Sequence, residues 1–236
     1  MQKYQMNPKN RQFIKEIKLV FLHRPKTGGT FIEKKLQILN KRYDKRIFGG
    51  HYSINLYNEE FKNYIFFCVV RNPYNKLYSF WGMVQKSNSI FKNIFMNKFN
   101  NPTNFTDFVN KLYILFKNKN LPWLNYSGKD LDIYLSNSYP LYVHIYPQYL
   151  YLIDHDKNIK VKNNNILKYE NLDKDFKNFN DLYFNDNKDI YSFFNNNIYK
   201  NINIKKDYKI KNKFPDLIDK IYEIYRDDFI YFNYDK

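Results

Sequence analysis

Residues 18–39 constrain this chain more than any other stretch. Lys18-Leu19-Val20-Phe21-Leu22-His23 is an apolar run of buried-strand length, and Phe31, Ile32, Leu36 and Leu39 then recur at helical spacing. Between them lies Pro25-Lys26-Thr27-Gly28-Gly29-Thr30. A strand that feeds a helix through so short a turn presents unpaired backbone N–H groups and the positive end of the helix dipole. That arrangement suits a phosphate or sulfate. Gly28 and Gly29 allow the backbone to come close to a ligand, and Lys26 adds a full positive charge.

The turn is not a Walker A loop, in which the lysine follows the second glycine and a Ser or Thr for magnesium comes next. Here Lys26 precedes both glycines, so ordinary ATP or GTP chemistry is disfavoured. Thr30 and Glu33 also have the spacing of a capping box at a helix N-terminus. That reading accounts for those two residues and leaves Lys26 and the paired glycines unexplained.

A second constellation follows. Ile65-Phe66-Phe67-Cys68-Val69-Val70 is continuously apolar, as an interior parallel strand requires. It runs into Arg71-Asn72-Pro73-Tyr74, after which Leu77, Phe80, Trp81 and Val84 repeat at helical spacing. Pro73 sits near the first helical turn, where proline is favoured. Arg71 is placed at the C-terminal edge of a strand, where open α/β sheets bind ligands, and Ser79 faces back from the following helix. A surface salt bridge is the plainer role open to Arg71.

Taken together, the two segments resemble the 5′- and 3′-phosphate-binding elements of sulfotransferases that use 3′-phosphoadenosine 5′-phosphosulfate (PAPS). The closer resemblance is to the carbohydrate (Golgi-type glycan) branch, with its Pro-Lys-Thr-Gly-Gly-Thr and later Val-Arg-Asn-Pro-Tyr-x-x-x-x-Ser. Gly50-His51-Tyr52, Tyr146-Pro147-Gln148, Lys168-Tyr169-Glu170-Asn171-Leu172 and the tail from Ile221 to Phe229 extend it over nearly the whole chain. Two positions depart from the pattern. Arg24 stands where the family is usually apolar, with an expected effect on the acceptor side, and Phe31 replaces a small residue. The glycine-rich, tryptophan-containing loop of the cytosolic small-molecule branch has no counterpart.

The resemblance implies an α/β fold: a P-loop-like parallel β-sheet flanked by helices on both faces. It implies transfer of a sulfuryl group from PAPS, as co-substrate and without a metal, to a hydroxyl-bearing acceptor, most simply a glycan. Lys26, Thr27, Gly28, Gly29 and Thr30 would hold the 5′-phosphosulfate, and Arg71 with Ser79 the 3′-phosphate. Lys26 would also stabilise charge on the leaving oxygen. His51 falls where the glycan branch places its catalytic base, and its ordinary pKa suits proton removal near neutrality; Glu33 is the second candidate.

Composition sets limits on these readings. A chain of 236 residues suits one α/β domain, 1–236, with residues 1–11 as a frayed basic lead. The formal net charge of +16 fits a polyanionic ligand, although Lys- and Asn-rich coding bias produces the same excess. No nucleic-acid module is recognisable, so a nucleic-acid partner is disfavoured. The lone cysteine, Cys68, falls inside a strand and reads as a buried thiol. Four histidines and one cysteine show no metal-ligand spacing. No apolar stretch reaches membrane-spanning length and the polar start is not a signal peptide, so an intracellular location is expected. A kinase-like phosphotransferase would share the scaffold but lacks a Walker lysine and an evident magnesium carboxylate. An inactive polyanion- or nucleic-acid-binding relative would explain the charge but not the two anion elements.

Elsewhere, Phe105, Phe108, Val109, Leu112 and Leu115-Phe116 trace a helix entered near Thr103-Asn104. A strand at Ile166–Tyr169 precedes a helix lined by Leu172, Phe176 and Phe179. Pro215 opens a single terminal helix with Leu217, Ile218, Ile221, Ile224 and Tyr225 on one face.

Overall fold

The computed structural model describes residues 13–14, 18–32, 36, 53–57, 61–86, 90–125, 143–186, 191–192 and 209–236. Its strands are β1 (Phe13–Ile14), β2 (Leu19–Leu22), β3 (Ile65–Val70) and β4 (Ile166–Lys168). The helices labelled here are α1 (Pro73–Lys86), α2 (Ile90–Lys98), α3 (Phe105–Lys117), α4 (Leu172–Phe184), α5 (Ile210–Lys213), α6 (Ile218–Ile224) and α7 (Arg226–Tyr231). Residues 29–32 and 36 are helical as well.

The sheet has the order β1-β2-β3-β4. The short β1 is antiparallel to β2, whereas β2, β3 and β4 run parallel. Leu22 pairs with Cys68, and Val70 pairs with Lys168, so the three parallel strands end along one edge. This is the parallel α/β architecture that the apolar runs predict.

The chain forms two compact units, residues 1–70 with 152–205, and residues 71–151 with 206–236. In the first, side chains alternate across the sheet with the strand period of two. Leu19, Phe21, Phe67, Val69 and Leu167 share one face with Ile32 and Leu36, both helical positions after β2. Leu172, Phe176, Phe179 and Phe184 of α4 complete that cluster. Phe67 is central: its ring lies 4.9 Å from both Phe21 and Phe179. The alternate residues Val20, Leu22, Cys68 and Val70 are buried too, which is why the strands are apolar at every position. Burial pushes the Cys68 thiol up to about 12, with the charge of Arg24 opposing the rise. It therefore stays protonated at neutral pH, as a structural cysteine does.

The second unit is built on aromatic packing between α1, α2 and α3. Trp81 stacks on Phe108 at 5.6 Å, and Phe95 contacts Phe80, Phe99 and Phe108. Asn104 caps α3, accepting the Asp107 N–H at 2.9 Å, as the Thr103-Asn104 signal predicts. The tail differs from the single helix that its periodicity suggests. Pro215–Leu217 is a 3₁₀ turn, and α6 stops at Tyr225, whose φ of −115° and ψ of 23° leave the helical region before α7 begins. Tyr225 is buried and its hydroxyl donates to Ile145 O at 2.7 Å, a tertiary bond that helical periodicity cannot reveal.

Candidate active site

The loop after β2 carries the first candidate anion-binding element. Two of its residues take left-handed backbone, Lys26 at φ +65° and Gly28 at φ +81°. For glycine this costs little, but for lysine it is a strained conformation of about 1–2 kcal/mol. Lys18, Lys119, Lys157 and Lys209 share that backbone elsewhere in the chain, so at Lys26 it describes the shape of the turn. The hydroxyl of Thr27, fully buried, donates to Arg24 O at 2.8 Å and closes the turn. The first backbone bond of the helical segment runs from Phe31 N–H to Gly28 O at 3.0 Å. The N–H groups of Gly28, Gly29 and Thr30 therefore precede the helix's own ladder, as at any helix start.

The two glycines have separate reasons. A Cβ on Gly29 would fall 2.0 Å from Cδ2 of His23, whose buried ring stacks on Phe21. On Gly28, besides its positive φ, a Cβ would meet the Tyr169 ring at 3.0 Å. Tyr169 follows β4 directly, at the edge where the loop leaves β2. The Lys168-Tyr169 landmark thus packs against the Pro25–Thr30 loop. Gly29→Ala should force the His23 ring out of place and cost roughly 1–3 kcal/mol in stability, the usual price of overpacking. Thermal unfolding measures it; an unchanged melting temperature would mean that the His23 ring moves freely.

Arg24 is fully buried, with Nε donating to Leu22 O at 3.4 Å. Its charge lies close enough to Cys68 to act on the thiol. Both the Leu22 carbonyl and Cys68 belong to the first unit.

The second element begins where β3 ends. Arg71, the residue after Val70, is buried. Asn72 explains the Asn-Pro pair: its side chain accepts the Tyr74 N–H at 3.0 Å and its carbonyl accepts the Lys76 N–H at 2.9 Å. It is the N-cap of α1, and Pro73 occupies the first helical position. Ser79 is half-buried two turns further along α1, on the helix face that carries Asn72 and Asn75.

Two buried polar residues escape a reading by motif. Lys76 donates to Tyr146 O at 2.6 Å. Asp228 of α7 accepts the N–H groups of Gln148 and Tyr149 at 2.9 and 2.8 Å. The only hint of Asp228 in the sequence is an acid beside the apolar Phe229 within a family landmark. Burial pushes its carboxyl up from the ordinary range, while the Lys76 charge and these N–H bonds draw it back down.

Thr27, Gly28, Gly29 and Thr30 are thus gathered with Lys26 on one loop of the first unit, and Arg71 and Ser79 belong to the second. His51 and Glu33 lie outside the described residues. Among the described residues, no group of three His, Cys, Asp or Glu side chains could hold a metal ion. No helix among them is long and apolar enough to cross a membrane. A cavity of about 730 Å³ lined by Tyr57, Phe61, Lys62, Phe66 and Asn165 opens by the start of β3, at the opposite end of that strand from Val70.

Searches of curated proteins and of solved structures return no match. The sulfotransferase family model matches residues 12–235, which takes in the loop after β2, the Arg71 element, the Tyr146–Gln148 segment and the tail. That match covers nearly all of the chain and agrees with the parallel sheet and the strand-to-helix loop at its edge. The chain belongs to the sulfotransferase family.

Proposed function

We propose that this chain transfers a sulfuryl group from PAPS to a hydroxyl of a carbohydrate, with both compact units working as one sulfotransferase domain. The observation that carries the reading is the loop at Pro25–Thr30. It leaves a parallel strand, starts a helix, and holds Lys26 and Gly28 in left-handed backbone. Family membership supplies the reaction class, sulfuryl transfer to an acceptor hydroxyl.

The residues fit such a donor. PAPS, when bound, supplies the sulfuryl group and a 3′,5′-bisphosphate leaving group, with roughly four negative charges in all. Backbone N–H groups of Thr27, Gly28, Gly29 and Thr30 suit the 5′-phosphosulfate, with the Thr30 hydroxyl beside them. The hydroxyl proton of Thr27 already serves the turn. Arg71 and Ser79 suit the 3′-phosphate, Arg through its fork of donors. Lys26 offsets the charge that develops on the leaving oxygen. A sulfuryl group is less negative than a phosphoryl group, so one lysine replaces the metal clamp of a kinase. His51 takes the acceptor proton, an assignment that rests on its place between the two anion elements and on the imidazole pKa.

Nucleotide selectivity tests the reading before any acceptor is known. A charge-assisted bond from the buried Arg71, with one from Ser79, should favour adenosine 3′,5′-bisphosphate over ADP by about 3–4 kcal/mol, more than a hundredfold. Arg71→Ala should remove most of that preference, and magnesium should have no effect on binding. Titration calorimetry of both nucleotides, with and without magnesium, gives the answer. Tighter, magnesium-dependent binding of ADP would overturn the reading in favour of a phosphotransferase.

A further inference from the structure

Arg71 lies just beyond the last paired residue of β3. The Gln148 side chain holds both of its backbone groups. The Arg71 N–H donates to Gln148 Oε1 at 2.9 Å, and Gln148 Nε2 donates back to Arg71 O at 2.8 Å. A primary amide thus presents one acceptor and one donor to both backbone groups of Arg71, as a neighbouring strand would.

Gln148 is itself held. Its backbone N–H donates to Asp228 Oδ2 at 2.9 Å, its Nε2 reaches the same oxygen at 3.2 Å, and the Tyr149 N–H donates to Oδ1 at 2.8 Å. Both oxygens of a carboxylate that is 0% exposed are engaged by one short segment. The same segment is fixed at Tyr146 O by Lys76 of α1, one turn after Arg71, and at Ile145 O by the Tyr225 hydroxyl. Every one of these residues belongs to the second unit.

We propose that Gln148 and Asp228 are positioning residues for donor recognition: Asp228 fixes Gln148, and Gln148 fixes the backbone from which the Arg71 guanidinium reaches the 3′-phosphate. The inference rests on the assignment of Arg71 to that phosphate. The physical reason is preorganisation. A long side chain recognises a phosphate bidentately only if its root is held to within about half an ångström, and second-layer hydrogen bonds provide that hold. Gln148 has its amide on the Arg71 backbone and on Asp228, so it acts on the nucleotide through Arg71 rather than by touching it. A buried carboxylate is a costly way to obtain stability alone, since apolar packing of similar volume commonly does as well.

The test compares affinities for adenosine 3′,5′-bisphosphate and adenosine 5′-monophosphate, which differ by the 3′-phosphate, in the full chain and in Gln148→Met, Asp228→Asn and Arg71→Ala. Gln148→Met and Asp228→Asn should each cut the preference for the bisphosphate by tenfold or more, while monophosphate affinity stays within about twofold. A role in stability alone would lower the melting temperature and leave the ratio of the two affinities unchanged. If Arg71→Ala erases the preference and the other two variants keep it, the positioning role is wrong and the assignment of Arg71 stands. If Arg71→Ala also keeps it, that assignment fails and the positioning role fails with it. Should the variants not fold, hydrogen exchange in the wild-type chain decides. The Arg71 amide should exchange slowly and gain protection with the bisphosphate but not with the monophosphate. Exchange at the rate of an open loop, or equal protection by both nucleotides, would overturn the proposal.

Discussion

Lys26→Ala should lower turnover by about two to three orders of magnitude while weakening donor binding much less, because the lysine charge matters most as the leaving oxygen gains charge. The backbone makes this substitution a clean one. Lys26 is at φ +65°, and alanine suffers much the same left-handed strain as lysine, so the substitution adds no backbone strain to the loop. Lys26→Gly separates the two effects in the other direction, since it relieves the strain and removes the charge together. Both variants should show that loss of turnover, with the glycine variant as stable as wild type or more so. The readout is bisphosphate release from PAPS over a panel of glycan acceptors, alongside donor affinity by calorimetry. Turnover of Lys26→Ala within a few-fold of wild type would remove Lys26 from the mechanism.

His51→Ala should reduce transfer by roughly 10²–10⁴-fold, the range for loss of a general base, with donor affinity nearly intact. The base acts on the acceptor hydroxyl and not on the nucleotide, so the two quantities separate. Glu33→Gln is the matched comparison. Its spacing from Thr30 suits a helix cap, and the substitution keeps a capping side chain while removing a basic carboxylate. Full activity in Glu33→Gln with loss in His51→Ala supports the histidine. The opposite pattern would transfer the role of base to Glu33. A pH profile adds a second measure: the wild-type rate should rise as the imidazole loses its proton, and that limb should vanish in His51→Ala.

Much of this protein is legible in its sequence because the relevant signals are local. The apolar runs at Leu19–Leu22, Ile65–Val70 and Ile166–Lys168 are strands, and the period of Leu172, Phe176 and Phe179 is a helix, because side-chain direction repeats over a few residues. Asn72 with Pro73, and Asn104 before Phe105, announce helix starts for the same reason: a cap acts within one turn. The strand–loop–helix at Lys26 and the family of the chain follow from these short-range patterns.

Only the tertiary structure decided the rest. That Gly29 lies under the His23 ring and Gly28 under Tyr169 depends on how three parallel strands end side by side. Arg24, Lys76 and Asp228 are charged residues that composition would assign to the surface, yet the fold buries all three. Gln148 reaches Arg71 across 77 residues of sequence, and Asp228 reaches Gln148 across 80. No propensity or spacing carries information over such separations, because the partners meet only after the chain has closed its loops around a common core.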